Sequence, residues 1–103
     1  MAVSGPTDVI TDGESTLRIS NGSAVLTKVT GGGCALSAVT AAFLAAADDG
    51  GDLTAAAAAT AAYTIAAQQA AAVSAGPGSF APAFLDALAV LSAEDIHNLL
   101  VTA

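Results

Sequence analysis

Residues 27–37 read TKVTGGGCALS, and within this stretch the chain changes from strand-forming to helix-forming residues. A β-branched run gives way to three glycines, Gly31 to Gly33, and an uncharged helix-forming segment begins at Cys34. Glycines allow backbone N–H groups to crowd around a ligand, and the first turn of a helix leaves N–H groups unpaired with partial positive charge. The junction can therefore bind an anion such as phosphate, although a glycine-rich turn that only connects two elements fits the spacing equally well.

The junction matches neither of two common phosphate-binding motifs. A Walker A loop needs Lys and then Ser or Thr directly after its last glycine, whereas Cys34 and Ala35 follow here. A dinucleotide-binding fingerprint needs spaced glycines, whereas these are contiguous. Cys34 is the only cysteine, and a helix N-terminus is an environment that stabilises a thiolate. We interpret Cys34 as part of a site, and packing as a small apolar side chain is the alternative.

The segments before the junction predict strands. Short β-favouring runs at residues 9–11 and 15–19 lie on either side of Asp12-Gly13-Glu14, a sequence typical of a β-hairpin turn. A third β-favouring run, residues 24–29, follows an Asn-Gly turn and leads into the glycines. We therefore expect strands within residues 7–30.

The segments after the junction predict four helices. We expect Asp52 and Ser79 to cap the second and third helices. We also expect Ser92 and Asp95 to form a capping box that opens the fourth. The expected helices cover approximately residues 34–47, 53–74, 79–91 and 93–101.

The second of these helices is rich in alanine. Alanine favours a helix, so we interpret the tract as a packing helix with Tyr63 and Ile65 as its larger core contacts.

Residues 53–75 carry no charge and are long enough to cross a bilayer. However, alanine is only weakly apolar, Gln68 and Gln69 lie inside the stretch, and no basic residues flank it. We therefore predict a buried helix and no membrane role.

The composition limits the size of the fold and its partners. The 103 residues correspond to one small domain or a piece of one. Nine acidic residues against two basic ones give a net charge of −7, which disfavours binding to nucleic acid and to anionic membrane surfaces. One cysteine allows no internal disulfide, and the N-terminal residues show no secretory signal, so we expect a cytoplasmic protein.

Four motifs occur in one order along the chain. They are DVITDG at residues 8–13, ISNG at 19–22, KVTGGGCALSA at 28–38 and GPGSF at 76–80. This succession resembles the C-terminal part of hydroxyethylthiazole kinase, a thiamine-salvage family of the ribokinase-like superfamily, over nearly the whole chain. The resemblance implies an α/β fold, namely the C-terminal segment of a ribokinase-like domain, with an N-terminal hairpin and strands followed by three to four alanine-rich helices. Family members are more than twice as long, and the portion not represented here is N-terminal.

The same resemblance implies roles for individual residues. Gly31 resembles the position that contacts the thiazole substrate, and Gly32 and Gly33 resemble the anion hole. Cys34 resembles the proton acceptor, and Ser4 resembles a residue that contacts ATP just after a strand. The implied reaction is the phosphorylation, by ATP with Mg²⁺, of the hydroxyl of 4-methyl-5-(2-hydroxyethyl)thiazole in thiamine biosynthesis. The implied assembly is a homotrimer.

Two features depart from the family pattern. Gly32 stands where Thr, Ala or Ser is usual, and Ser23-Ala24 stands where His-Pro is common. The absent upstream portion is expected to bring the Arg that grips the ATP phosphates and the acidic surroundings of Mg²⁺. Two alternative hypotheses follow. One is a truncated, non-catalytic fragment that retains a helical packing surface and weak anion binding, and the other is a free-standing helical interaction module.

Overall fold

The computed structural model of the chain describes residues 1–28, 32–47 and 51–100, in which short strands precede the helices. The strands are β1 (Ala2–Val3), β2 (Asp8–Thr11) and β3 (Thr16–Ile19). A short 3-10 helix (Ala24–Lys28) follows, and then come α1 (Gly32–Ala46), α2 (Gly51–Val73), α3 (Pro77–Val90) and α4 (Ala93–Leu99). Strands followed by four helices are the α/β arrangement that the sequence predicts.

The three strands form an antiparallel sheet in the order β1-β2-β3, so β2 lies in the centre. The turn from β2 to β3 is tight because the Asp12 carboxylate accepts hydrogen bonds from the N–H groups of Glu14 (2.9 Å) and Ser15 (2.8 Å). Gly13 has a φ of 97°, a left-handed conformation that glycine adopts without a steric penalty. The predicted hairpin is confirmed, and β1 adds a strand before the expected range.

The third predicted strand is wrong, because residues 24–28 form the 3-10 helix. Gly22, with a φ of 125°, turns the chain away from β3. The Ser23 hydroxyl then accepts a hydrogen bond from the N–H of Val25, and the Ser23 carbonyl accepts one from the N–H of Leu26, both at 3.2 Å. Such local bonds compete with a sheet ladder. Val25 and Leu26 pack against the helical core instead of joining the sheet.

Helix α2 is the centre of the fold and contacts the sheet and all three other helices. Eleven of its residues are buried, and most of them are alanines whose small side chains let the neighbouring elements approach closely. The predicted core contacts are confirmed, since Tyr63 is 3% exposed and Ile65 is 0% exposed. Among the described residues, no helix has both the length and the hydropathy needed to cross a membrane.

Aromatic rings join α2 to α3. Tyr63 and Phe84 meet edge to face with ring centroids 4.8 Å apart, and Phe80 stacks on Phe84 with centroids 5.8 Å apart. Alanines of α2 complete this cluster. A second, smaller cluster packs Ile10 and Ile19 of the sheet against α2. The buried aromatic side chains therefore lie at the α2–α3 interface.

The ends of the helices differ in part from the predictions. Asp52 lies inside the first turn of α2, because α2 begins at Gly51. Gly76 occupies the cap position of α3 without a side-chain bond, so Ser79 does not cap that helix from outside. Instead, the Ser79 hydroxyl, inside α3, accepts a hydrogen bond from the N–H of Ala75 at 3.2 Å. Pro77 fits the first position of a helix, because its missing N–H would be unpaired there in any case.

The capping box of α4 is confirmed. The Ser92 hydroxyl accepts from the N–H of Asp95 at 3.1 Å, and the Asp95 carboxylate accepts from the N–H of Ser92 at 3.2 Å. The predicted end of this helix near residue 101 is wrong, because α4 ends at Leu99 and the backbone of Leu100 is extended. The end of the predicted third strand, beyond Lys28, lies outside the described residues.

Asn21, at the end of β3, connects three distant parts of the chain. Its side-chain N–H₂ group donates to the Gln68 side-chain oxygen in α2 (2.9 Å) and to the carbonyl of Leu99 at the end of α4 (2.7 Å). Asn21 is only 6% exposed, and both bonds are partly buried. They fix the position of α4 relative to the sheet and to α2.

Candidate functional site

A cavity of about 620 Å³ opens between the sheet, the 3-10 helix and the helices α1 and α2. Its polar wall comes from the loop after β1, including Ser4, and from the segment after β3. Its apolar wall includes Leu36 of α1 and Tyr63 of α2. The cavity therefore combines hydroxyl and amide groups on one side with apolar surface on the other, as small-molecule sites commonly do.

A second cavity, of about 330 Å³, lies between the sheet and α1. Val3 and Val9 line it from the strands, and Ser37 and Leu44 line it from α1. Three residues, Ser4, Asp8 and Leu36, line both cavities. We call the two cavities together the β1–α1 groove.

Ser4, the predicted ATP contact, follows β1 directly and lies at the groove. Its side chain is exposed. The strand that the family resemblance implies before this residue is present as β1, which pairs with β2 through Val3 and Val9. The backbone at Ser4 is thus held at the edge of the sheet, although its role stays a prediction.

Cys34, the predicted proton acceptor, is a free and exposed thiol in the first turn of α1. Gly32 and Gly33 form the beginning of the same helix, which starts two residues earlier than expected. The predicted substrate contact, Gly31, lies outside the described residues. Cys34 itself lines neither cavity, whereas Leu36, about half a turn further along α1, lines both. The structure therefore brings the first part of α1, but not the Cys34 side chain, to the groove that Ser4 also borders.

The start of α1 has the electrostatic character that anion binding needs. The first N–H groups of a helix have no partner within that helix and carry partial positive charge. The first turn of α1 contains no acidic residue that would offset this charge. None of the side chains described in α1, from Cys34 to Ala46, is buried, so this helix borders the groove with an open surface.

Asp8 is a residue of the groove that the sequence analysis missed. It is the first residue of β2, it is 6% exposed, and one of its carboxylate oxygens accepts a hydrogen bond from the N–H of Gly5 at 3.1 Å. Burial raises the pKa of the Asp8 carboxyl, and the Gly5 N–H partly opposes that shift. The strand alternation was the available signal, because Asp8 shares a sheet face with the buried Ile10.

Tyr63 contributes an apolar surface to the larger cavity. It is 3% exposed, and its ring rests against Phe84. Burial raises the pKa of the Tyr63 phenol, so the side chain stays neutral at physiological pH. The ring therefore offers a flat, uncharged face rather than an acid or a base.

The described residues do not fit a metal site of their own. Nowhere among them do three or more His, Cys, Asp or Glu side chains come together in a group that could hold a metal ion. We therefore assign no metal ligand in the described part of the chain and derive no step through a metal.

The chain is similar to proteins of one enzyme family. Residues 1–94 match the model of the hydroxyethylthiazole kinase family. The hydroxyethylthiazole kinase of Tolumonas auensis is 51% identical over 100 residues, which cover 97% of this chain and 38% of that protein. The hydroxyethylthiazole kinase of Serratia proteamaculans is 45% identical over 97 residues, which cover 94% of this chain and 36% of that protein.

A solved structure agrees with these matches. The hydroxyethylthiazole kinase protein from Pyrococcus horikoshii OT3 superposes with a TM-score of 0.92 at 33% identity, over 99% of this chain and 39% of that one. The chain thus spans less than two fifths of the length of these relatives and corresponds to their C-terminal part.

Proposed function

The chain belongs to the hydroxyethylthiazole kinase family, and from this premise we propose that it supplies the C-terminal part of an ATP-dependent kinase site. The substrate would be 4-methyl-5-(2-hydroxyethyl)thiazole, phosphorylated on its hydroxyl in thiamine biosynthesis. One observation supports the proposal most directly. Ser4 and the first part of α1, which are far apart in sequence, border the same groove.

In the proposed reaction, the hydroxyl oxygen of the thiazole alcohol attacks the γ-phosphorus of ATP, and the bond from that phosphorus to ADP breaks. The backbone N–H groups of Gly32 and Gly33 would donate to the phosphoryl oxygens, where negative charge is concentrated in the transition state. The Cys34 thiolate would accept the proton that leaves the hydroxyl. Gly31 would contact the thiazole, and Ser4 would contact ATP.

Mg²⁺ would neutralise charge on the transferring phosphates. Since the described residues bring no metal-ligand cluster together, we propose that the ATP phosphates and the rest of the family fold hold the ion. We further propose a cytoplasmic homotrimer, on the family relationship.

A phosphorylation assay tests this proposal with the thiazole alcohol, ATP and Mg²⁺. The chain is assayed alone and after mixing with the remaining N-terminal part of the Tolumonas auensis relative. We expect turnover in the mixture, and we expect Cys34→Ala to lower it about 100-fold, because general acid–base groups contribute on the order of 10²–10⁴. Ala45→Ser, at an exposed position near the other end of α1, serves as the control and should keep the wild-type rate.

The second hypothesis is a packing segment without turnover of its own. The same assay separates the two proposals. Turnover that requires the N-terminal part supports a contribution to an assembled kinase. An absence of turnover in both samples, with both proteins folded, would contradict the kinase proposal and leave the packing role.

A further inference from the structure

We infer that Asp8 is a positioning residue for nucleotide binding, because its carboxylate holds the loop that presents Ser4 to the β1–α1 groove. The inference rests on the proposed function, in which Ser4 contacts ATP. Asp8 would act through this loop and not by touching the nucleotide.

The hydrogen bonds around the loop support this role. Residues 4–7 connect β1 to β2, and the N–H of Gly5, directly after Ser4, donates to the Asp8 carboxylate at 3.1 Å. At the other end of the loop, the hydroxyls of Thr7 and Ser20 are hydrogen-bonded at 3.1 Å, which joins it to the end of β3. Asp8 therefore provides the side-chain bond to the peptide group next to Ser4.

The burial of Asp8 indicates a role beyond that of an ordinary turn residue. A carboxylate that is 6% exposed loses hydration, and among the described residues its only hydrogen bond comes from the Gly5 N–H. Asp12, in the next turn of the same sheet, is exposed and accepts two backbone hydrogen bonds. Asp12 lines neither cavity, whereas Asp8 lines both, together with Ser4.

A double-mutant cycle in this chain tests the inference, with MgATP as the probe and NMR chemical shifts as the measure of affinity. We expect Ser4→Ala and Asp8→Ala each to weaken MgATP binding about tenfold, as expected for the loss of one good hydrogen bond. If Asp8 acts through Ser4, the double variant should bind no more weakly than Ser4→Ala alone. Asp8→Asn keeps an oxygen that can accept from Gly5 and should bind within about twofold of wild type.

Asp12→Ala is the matched control and should bind MgATP like the wild type, since it loosens a turn of the same sheet outside the groove. Circular dichroism confirms that each variant is folded before titration. Equal weakening by Asp8→Ala and Asp12→Ala would overturn the inference, because the effect would then be a general loosening of the sheet.

Three further results are decisive. Additive losses in the double variant would show that Asp8 acts on the nucleotide independently of Ser4. An Asp8→Asn variant as weak as Asp8→Ala would show that the bond from the Gly5 N–H does not account for the effect. Either result would make the inference wrong while the proposed function stands. If the wild-type chain shows no MgATP shifts at all, the proposed ATP contact at Ser4 fails and the positioning role fails with it.

Discussion

At the scale of single residues, two aspartates of one sheet have opposite electrostatic surroundings. Asp8 is buried, and desolvation raises the pKa of its carboxyl above the ordinary value of 3.8. Asp12 is exposed, and hydrogen bonds from the N–H groups of Ser15 and Glu14 lower its pKa below that value. The two residues are four positions apart in sequence, so their environments and not their local propensities determine the difference.

These shifts predict opposite dependences of stability on pH. The folded chain binds a proton at Asp8 more tightly than the unfolded chain does, so ionising Asp8 lowers the free energy of unfolding. This penalty is fully present above the raised pKa and is relieved as the pH falls to 3.8. The stabilisation from Asp12 is fully present above 3.8 and is lost as the pH falls through its lowered pKa.

We therefore expect Asp8→Asn to raise the free energy of unfolding at neutral pH and Asp12→Asn to lower it. Both differences from the wild type should shrink below pH 3.8. Urea unfolding measured over a pH series checks this prediction. A change of the same sign in both variants at neutral pH would contradict it.

At the scale of elements, local hydrogen bonds determine where several of the helices begin. The Ser23 hydroxyl supports the 3-10 helix, and Ser92 with Asp95 closes the first turn of α4. The start of α3 shows that a serine near a helix end is not sufficient, because Gly76 takes the cap position and Ser79 lies within the helix. The geometry of the preceding break, Gly76-Pro77, decides the boundary there.

The capping box predicts a specific loss on substitution. Ser92→Ala removes the acceptor for the Asp95 N–H, so we expect the free energy of unfolding to fall by about 1 kcal/mol. Amide exchange in α4 should accelerate at the same time, because this seven-residue helix has no buried residue to hold it. Ser15→Ala, whose exposed side chain makes no hydrogen bond among the described residues, is the control. Equal stabilities of the two variants would contradict the prediction.

At the scale of the whole molecule, α2 organises the fold, because it contacts the sheet and all the other helices. Each alanine side chain buries little apolar area. At about 25 cal/mol per Å² of buried apolar area, each alanine therefore stabilises the fold only slightly. The polar link through Asn21 is therefore important for fixing α4, which has few other contacts with the core. The link joins Asn21 to Gln68, which lies 47 positions later in the sequence, and to Leu99, which lies 78 positions later.

Asn21→Ala tests this link. The substitution removes the donor that the Leu99 carbonyl and the Gln68 side-chain oxygen share at a partly buried site. We expect the free energy of unfolding to fall by about 1–1.5 kcal/mol, the contribution of an ordinary hydrogen bond. Asn98→Ala, at an exposed position of α4, is the matched control and should change it by less than about 0.5 kcal/mol. Urea unfolding of both variants measures the difference, and a loss as small as that of the control would show that the link is not needed.

Local chemistry made several features of this chain predictable from its sequence. The Asp12-Gly13-Glu14 turn, the break between α2 and α3 and the Ser92 capping box all depend on hydrogen bonds and backbone preferences that act within a few residues. The motifs along the chain also identified its family, which the match over residues 1–94 confirms. The anion-binding and proton-accepting roles at Gly31 to Cys34 remain predictions.

Only the tertiary structure decided what depends on distant segments. Residues 24–28 have strand propensity, but their apolar side chains pack against helices that lie far along the sequence. The burial of Asp8 and the meeting of Ser4 with α1 at one groove likewise depend on how the sheet and helices pack. Hydrogen bonds in turns and caps are encoded by near neighbours, whereas burial is a property of surfaces that come together only in the folded chain.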